Sequence, residues 1–289
     1  MPMQMTVVGP HLNSLRRDVF AARFNRRPFL IEHELSNHPL FDLSRLVELS
    51  QELPTDRVEY NAGDLPITQN PQLTPRNGLT VAETIQRIEE CRSWLVLKNV
   101  EQHPAYAALL DECLNEIESY TNAIAPGMCR REGFIFISSP GSVTPYHIDP
   151  ENNFLLQVRG TKEVFMYDAD DREVISEETI EEFFCGAHRN LVFDEQVRDR
   201  EHHYILTPGD GLHFPVVAPH YVQNGPEVSI SFSITFQTSQ SRDRQSLHRL
   251  NRTLRRWGLH PSPVGRWAWS DSLKLHCVNL MRRFKKSAQ

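Results

Sequence analysis

The sequence predicts a mainly β protein with flanking helices, in which many short strands form a sandwich or a barrel. The first observation is the texture of residues 128–240, where short apolar runs alternate with turn signals: "GFIFIS", "FLLQV", "KEVFMY", "HYILT", "GLHFPVV" and "VSISFSITF". The second is that most helical patterns lie before and after this stretch, which argues against a sheet built from βαβ units.

The chain of 289 residues, 39% of them hydrophobic, is long enough to bury a sizeable core. Its patterns indicate three regions: a mixed α/β N-terminal region at residues 1–127, the strand-rich core at 128–240 and a basic helical region at 241–289. We expect the N-terminal region to buttress the core.

Strands and helices alternate in the predicted N-terminal region. The runs "RRPFLIEHEL" and "SWLVLKNV" are typical of buried strands, and "FDLSRLVELS" and "PAYAALLDECLNEIESY" of amphipathic helices. Thr80 and Glu83 form a capping box for a further helix that extends to about Arg92. Residues 53–78 are rich in Pro, Asn and Gly, and they predict a loop with one short strand that forms a lid or an excursion over a pocket.

The run "VSISFSITF" alternates strictly between large apolar and small polar residues. A strand of this pattern buries one face, whereas its other face is wet or lines a cavity. The apolar set is Val228, Ile230, Phe232, Ile234 and Phe236.

The C-terminal region is strongly basic. From Ser241 onward it carries twelve Lys or Arg against two Asp, a charge of +10, which leaves −16 for the first 240 residues. A first helix has its apolar positions at Leu247, Leu250, Leu254 and Trp257, and a second helix begins near Ser270. We expect these helices to pack on the core or to form a homodimer; an anionic partner for the basic face is the alternative.

Several classes of protein are not expected. No run of about 18 apolar residues is present, and "MPMQMTVVGPHLNSLRR" lacks the pattern of a signal peptide. The default expectation is therefore a cytoplasmic protein without a transmembrane segment. Five cysteines without a CxxC pair indicate reduced thiols rather than disulfides or a thiolate zinc site.

The stretch "GSVTPYHIDPENNFLL" places His147 and Asp149 one residue apart. Alone this is weak evidence, because about one such match per chain is expected by chance. On a strand, however, residues i and i+2 project to the same face, so both side chains can reach one ion. His220 in "GLHFPVVAPHYVQNG" is the candidate third ligand. Two imidazoles and one carboxylate with open positions are typical of non-heme Fe(II) oxygenases.

At these residues the sequence resembles the jumonji-C or cupin-like Fe(II) and 2-oxoglutarate dependent oxygenases. It is most similar to the asparaginyl hydroxylase that acts on hypoxia-inducible factor. The shared pattern consists of a Thr-Pro lead-in, a His-x-Asp pair, an Asn, a Lys on the next strand and a distal His. Here it falls on Thr144-Pro145, His147 and Asp149, Asn153, Lys162 and His220.

The resemblance implies a double-stranded β-helix, a cupin-like jelly roll whose interior holds the site. It implies Fe(II) bound by His147, Asp149 and His220, with 2-oxoglutarate and O2 as cosubstrates. Histone demethylases of the wider family mostly carry Glu at the position of Asp149, which favours stable hydroxylation over demethylation here. Ala218-Pro219 stand where relatives often place aromatic residues, so the substrate stays open between a protein side chain, a carrier-bound amino acid and a small molecule.

The same resemblance implies that Lys162 and Thr144 meet the distal carboxylate of 2-oxoglutarate. A buried ammonium is costly unless it meets an anion, which favours this role for Lys162 over a solvated lysine paired with Glu163 or Asp168. Asn153 and Asn224 are further candidates to bind a cofactor oxygen.

Three alternatives from other classes remain open. One is a non-catalytic cupin-like binding or regulatory module, and another is a cupin metalloenzyme that does not use 2-oxoglutarate. The third is a nucleic-acid binder that depends on the basic C-terminal region. His213 is expected to be a core or pocket-wall histidine, and His202 and His203 loop residues before a strand. The run "EETIEEFF" predicts a helix with an acidic, solvated face, with docking of a basic substrate as the alternative.

Overall fold

The computed structural model describes residues 10–287. Within these residues the strands are β1 (Leu12–Asn13), β2 (Phe29–His33), β3 (Val58–Ala62), β4 (Ser93–Lys98), β5 (Cys129–Ser138), β6 (Val143–His147), β7 (Asn152–Arg159), β8 (Lys162–Met166), β9 (His202–Leu206), β10 (Asp210–Phe214), β11 (His220–Asn224) and β12 (Ser229–Gln237). The α-helices are α1 (Arg17–Arg23), α2 (Leu43–Glu52), α3 (Val81–Gln86), α4 (Pro104–Thr121), α5 (Glu177–Phe184), α6 (Ser239–Arg256) and α7 (Ala268–Ser287).

The strands form two antiparallel sheets. The larger has the order β1-β2-β10-β7-β12-β5-β4-β3, and the smaller has the order β6-β11-β8-β9. The four central strands of the larger sheet lie against the smaller sheet and share with it a core that includes Leu155, Val164, Leu212 and Val222. This eight-stranded jelly roll confirms the predicted fold class.

The strands of the N-terminal region extend the larger sheet at both edges. β2 pairs with β10, and β4 pairs with β5. Helices α1 to α4 cover the outer face of this sheet, where Phe20, Leu46, Leu114 and Phe232 belong to one buried cluster. The N-terminal region thus supports the barrel, while the boundaries at 127/128 and 240/241 stay a prediction, and residues 1–9 lie outside the described part of the chain.

The alternation in β12 places its two sets of side chains on opposite faces, as predicted. The large apolar residues face the cluster under the helices, where Phe232, Ile234 and Phe236 are fully buried. The small polar residues face the barrel interior, and Ser233 and Thr235 line its cavity. The polar face is therefore buried and lines a cavity.

Three local predictions were wrong in detail. Helix α3 keeps its Thr80–Glu83 capping box but ends at Gln86 instead of Arg92, because residues 87–90 form turns that lead the chain into β4. Strand β6 ends at His147, so Asp149 follows the strand instead of belonging to it. His202 and His203 are the first residues of β9 and not loop residues.

The acidic face of α5, which was predicted to face solvent, packs against basic residues of α6. In α5, Glu177 and Glu181 are buried. Arg255 of α6 binds both Glu181, at 2.9 Å, and Glu178, at 3.0 Å. The predicted solvated face of "EETIEEFF" was therefore wrong, because the opposite charge that neutralises it lies some seventy residues further along the chain.

The apolar stripe of α6 is only partly buried. Leu247 is buried, Leu250 and Leu254 are half-buried, and Trp257 is 74% exposed, so the body covers the start of the stripe, and packing of its end on a second subunit stays a prediction. Helix α6 ends at Arg256, and Gly258 with φ +79° follows as the turn residue after the helix. None of the helices within residues 10–287 has the length and apolar character that crossing a bilayer requires.

We expect Glu181→Ala to lower the free energy of unfolding by about 2 kcal/mol, because it removes the buried carboxylate of the pair and leaves the Arg255 guanidinium with the exposed Glu178 as its remaining partner. The measurement is chemical denaturation at neutral pH. Glu178→Ala is the matched control, since Glu178 binds the same guanidinium from an exposed position and should cost less than about 1 kcal/mol. Equal losses in the two variants would contradict the buried pair.

Candidate metal centre and cofactor pocket

The structure brings together His147, Asp149 and His220. Strands β6 and β11 are neighbours, and His147 lies opposite His220 in their register. The Nε2 atoms of His147 and His220 lie 3.5 and 3.7 Å from Asp149 Oδ2. The potential ligand atoms of all three side chains lie within 4.8 Å of one another, which is the spacing that a shared metal ion requires.

The hydrogen bonds of the two imidazoles fix which nitrogen faces the centre of the group. His147 Nδ1 lies 2.7 Å from the Pro145 carbonyl oxygen, and His220 Nδ1 lies 2.9 Å from that of Ala218. A carbonyl only accepts, so Nδ1 carries the proton in each ring and Nε2 presents a lone pair. Backbone carbonyls that orient histidines in this way are typical of metal sites.

Charges around the group keep its ligands in the form that binds a cation. Burial opposes the ionisation of Asp149, but Arg189 and the two histidines outweigh it and hold the pKa of Asp149 well below its usual range. The Arg189 guanidinium donates to Asp149 Oδ1 at 2.9 Å. Burial, aided by the neighbouring His147, lowers the pKa of His220 to about 3, so this imidazole is neutral at pH 7.

Lys162 lies in the same cavity as the three ligands, and its side chain is buried. Its Nζ donates to Ser231 Oγ at 2.6 Å, and Ser231 Oγ donates to Gln157 Oε1 at 2.6 Å. Within residues 10–287 no carboxylate forms an ion pair with it, and burial lowers the pKa of Lys162 to about 7. The solvated lysine paired with Glu163 or Asp168 is therefore excluded.

The cavity has mostly apolar walls and opens towards a groove. Between the three ligands and Lys162 its walls include the apolar side chains of Phe136, Leu155, Phe214 and Val222. Phe136 and Thr144 also line the neighbouring groove, which is bounded by the segment of residues 59–76 and by β4. The predicted excursion over a pocket is thus found at the entrance.

The remaining predicted residues differ in their positions. Thr144 and Asn153 line the cavity, and Asn153 Oδ1 accepts a hydrogen bond of 2.8 Å from Ser233 Oγ. Asn224 lies opposite Lys162 in the register of β8 and β11, but its amide donates to the Ser142 carbonyl and its side chain is not among those that line the cavity. Cofactor contacts by these residues stay predictions.

His213 is a core histidine, as expected. Its Nδ1 lies 3.1 Å from the Asn153 carbonyl, its Nε2 accepts from the Asn25 backbone at 3.0 Å, and its ring stacks on Phe24. Burial lowers its pKa to about 3. Both nitrogens are therefore used, and His213 has none left for a metal.

Sequence reasoning missed two charged residues of the cavity. Arg189 comes from the segment after α5, which has no motif, and it reaches Asp149 because residues 189–191 pair with the end of β6. Glu151 also lines the cavity, where burial and the nearby charge of Asp149 raise its pKa to about 8. The sequence signal that could have indicated Glu151 is its position two residues after Asp149.

A two-layered jelly roll that encloses such a polar group is the architecture of the cupin class. The chain belongs to the family of proteins with a cupin-like domain, whose family model matches residues 23–242. Similar solved structures are those of Escherichia coli ycfD, at 17% identity over 94% of this chain and 68% of that chain with a TM-score of 0.51. A structure of YcfD, a ribosomal oxygenase from Escherichia coli, in complex with cobalt and 2-oxoglutarate shares 15% identity over 93% and 67%, with a TM-score of 0.52. At these identities the likeness shows the fold.

We expect His220→Ala to weaken the binding of Co²⁺ at least about 100-fold, because it removes one of three ligands and leaves Asp149 and His147 unable to enclose the ion. Calorimetric titration of the protein with Co²⁺ measures the effect. His202→Ala, which removes a histidine of β9 that lies outside the group, should bind Co²⁺ as the wild type does. Unchanged affinity in His220→Ala would contradict the assignment.

Proposed function

We propose that the protein is an Fe(II) and 2-oxoglutarate dependent oxygenase that hydroxylates an unactivated C–H bond. One observation carries the proposal: a single cavity contains two imidazoles and a carboxylate that converge, together with a buried lysine that has no counter-ion within residues 10–287. The first feature suits a cation with open coordination positions, and the second suits the far carboxylate of a dianion.

The ligand set fits Fe(II). Two neutral nitrogens and one carboxylate oxygen leave a divalent ion with net positive charge, and Arg189 keeps Asp149 ionised. In this proposal His147, Asp149 and His220 hold the iron, and Lys162 and Thr144 hold the distal carboxylate of 2-oxoglutarate. The bound iron supplies the reaction with O2, in which 2-oxoglutarate becomes succinate and carbon dioxide and the substrate C–H becomes C–OH.

The comparison with YcfD supports the cofactors. That protein has the same fold, and its structure contains cobalt, a common substitute for Fe(II), together with 2-oxoglutarate. The pattern of residues that led to the resemblance lies at one cavity in this chain. A non-catalytic module would have no need of an unpaired buried lysine, and a cupin metalloenzyme without an oxo-acid cosubstrate would not need one either.

The other residues of the cavity exclude water and position the reactants. Phe136, Leu155 and Phe214 keep the space between the ligands and Lys162 apolar, which strengthens the electrostatic attraction of the lysine for an anion. The network of Ser231 and Gln157 fixes the lysine side chain. The chain thereby provides a site that is already organised before the cosubstrate binds.

The shape of the entrance favours a substrate that is longer than a free metabolite. The groove is lined by Asn61, Trp94 and Lys98 on the side of β3 and β4, and it reaches His147 and Arg189. We therefore propose a protein side chain as the preferred substrate, ahead of a carrier-bound amino acid or a small molecule. The resemblance to an asparaginyl hydroxylase and the description of YcfD as a ribosomal oxygenase agree with this choice.

We further propose that α7 mediates a homodimer. Trp269, Leu273 and Leu280 are exposed and lie at helical spacing along one face of α7. Exposed apolar faces of this kind are typical of protein interfaces. An anionic partner for the basic tail is less favoured, because Arg252 and Arg255 already bind carboxylates of α5.

We expect anaerobic addition of Fe(II) and 2-oxoglutarate to give the visible charge-transfer band of the chelate, as measured by absorption spectroscopy. Lys162→Met should require a 2-oxoglutarate concentration about 30-fold or more above that of the wild type to give the band, because it removes the charged partner of a buried anion. Lys274→Met, which removes a lysine of α7 that lies outside the cavity, is the matched control and should leave the requirement unchanged.

Absence of the band in a folded wild type that binds Co²⁺ would contradict the oxygenase and support a cupin metalloenzyme of another kind. Absence of both the band and metal binding would support the binding module. An equal loss in Lys162→Met and Lys274→Met would contradict the role of Lys162.

We expect 2-oxoglutarate to bind the Co²⁺-loaded protein most tightly below pH 7. The lysine must be protonated to attract the carboxylate, and with a pKa of about 7 in the free protein it loses its proton as the pH rises. The Kd should then increase by up to about tenfold per pH unit above 7. Calorimetry at pH 6 to 9 measures this, and a pH-independent Kd in the wild type would contradict it; in Lys162→Met the Kd should depend much less on pH.

We expect sedimentation velocity to show a dimer that Leu273→Glu converts to a monomer, because the substitution places a charge in the apolar face. Ile205→Glu is the control, since Ile205 is equally exposed on β9 but lies outside this face. A wild type that is monomeric at high micromolar concentration would contradict the dimer.

A further inference from the structure

A second concave site lies away from the metal centre, and we call it the basic pocket. It is enclosed by the turn of residues 25–27, the segment 169–172, α5, residues 216–217 and α6. None of its lining residues is among those that line the metal cavity or the groove. The basic pocket is thus a separate site with its own lining.

Positive charge dominates the polar lining. Arg26, Arg27, Arg172 and Arg244 line the basic pocket, and Asp170 is the single carboxylate among its lining residues. Arg27 binds Asp170 at 3.0 Å, and Arg172 binds Glu177 at 2.6 Å. For Arg26 and Arg244 the described part of the chain contains no hydrogen-bonded or ion-paired partner of the side chain. Two guanidinium groups are therefore available at one pocket.

A buried imidazole at the same pocket has an unused nitrogen. His248 of α6 is 3% exposed, and its Nδ1 has no hydrogen-bond partner within residues 10–287. The carboxylate oxygen Glu177 Oε2 lies 3.8 Å from His248 Nδ1, which is too far for a hydrogen bond. Burial, with the charges of Arg244 and Arg172, lowers the pKa of His248 to about 3, so the ring is neutral. A buried polar atom of this kind is costly unless a ligand or water satisfies it.

The rest of the lining is apolar. Ile180 and Phe184 of α5 face the basic pocket, together with Val216 and Val217. Arginines beside an apolar wall suit a molecule with an anionic group at one end and a hydrocarbon part at the other. A free inorganic anion would leave the apolar wall without a contact.

The backbone near the basic pocket adopts a strained conformation. Val217 has φ +55°, which is rare for a β-branched residue, and its N–H donates to the Asp149 carbonyl at 2.9 Å. Val216 N–H donates to Asn25 Oδ1 at 2.9 Å. These hydrogen bonds fix the shape of the wall between the basic pocket and the metal centre, and strain of this kind is found mostly at functional sites.

We propose that the basic pocket binds a small organic anion, whose phosphate or carboxylate group is bound by Arg26 and Arg244 and whose apolar part packs on Ile180, Phe184 and Val216. The imidazole of His248 forms part of the wall beside this anion. Phosphate esters and aromatic carboxylates both have an anionic group, which the two guanidinium groups can bind, and an apolar part, which can pack on the apolar wall.

The test is calorimetric titration of the full chain with phenyl phosphate, benzoate and inorganic phosphate. We expect saturable binding of phenyl phosphate or benzoate, tighter than that of inorganic phosphate, and the stronger of the two identifies the anionic group. Arg244→Gln and Arg26→Gln should each weaken it about tenfold or more. Within residues 10–287 neither side chain has a hydrogen-bonded or ion-paired partner, so both variants should unfold at the wild-type temperature.

Two controls locate the binding. Arg256→Gln changes an exposed arginine of the same helix that lies outside the basic pocket, and it should not alter the affinity. Lys162→Met should not alter it either. If Lys162→Met abolished binding and Arg244→Gln did not, the probe would lie in the metal cavity and the proposal would be overturned. Failure of both organic anions to bind would also overturn it. So would an equal affinity for inorganic phosphate.

Discussion

The ammonium group of Lys162 is buried without a carboxylate partner among residues 10–287, and the binding properties of the cavity follow from the cost of this burial. Burial lowers the pKa of Lys162 to about 7, and its Nζ donates a hydrogen bond to Ser231. A group of this kind destabilises the fold unless an anion binds it. Strands β8, β11 and β12 hold it in one place, so an anion that enters the cavity finds a charge that needs no rearrangement to bind it.

The metal ligands complement the lysine across the same cavity. His147 and His220 are oriented by backbone carbonyls, and Asp149 is held ionised by Arg189. A divalent ion there and an ammonium at Lys162 would place two positively charged groups at one enclosed space. A dianion satisfies both, which is the physical reason to expect a dicarboxylate with a chelating end rather than a monoanion.

Much of this site was visible in the sequence, because the information was local. The alternation in "VSISFSITF" predicted a strand with one buried face and one face that is wet or lines a cavity, and the spacing around His147 predicted ligands that converge. Long-range pairings were not visible. The contact between Arg189 and Asp149 joins residues 40 positions apart, and the contact between Glu181 and Arg255 joins residues 74 positions apart. No motif at Arg189, Glu181 or Arg255 indicated these contacts. The exposure of Trp257 was not visible either, because helical periodicity gives the face of a helix but not where the body beneath it ends.

Titration of Lys162 tests whether its buried ammonium binds 2-oxoglutarate. Nuclear magnetic resonance of the protein with labelled lysine side chains, assigned with Lys162→Met, gives the pKa of this ammonium with Co²⁺ alone and after addition of 2-oxoglutarate. We expect a value near 7 that rises by at least about one unit when 2-oxoglutarate binds. A pKa near 10.5 in the free protein, or one that 2-oxoglutarate leaves unchanged, would contradict it.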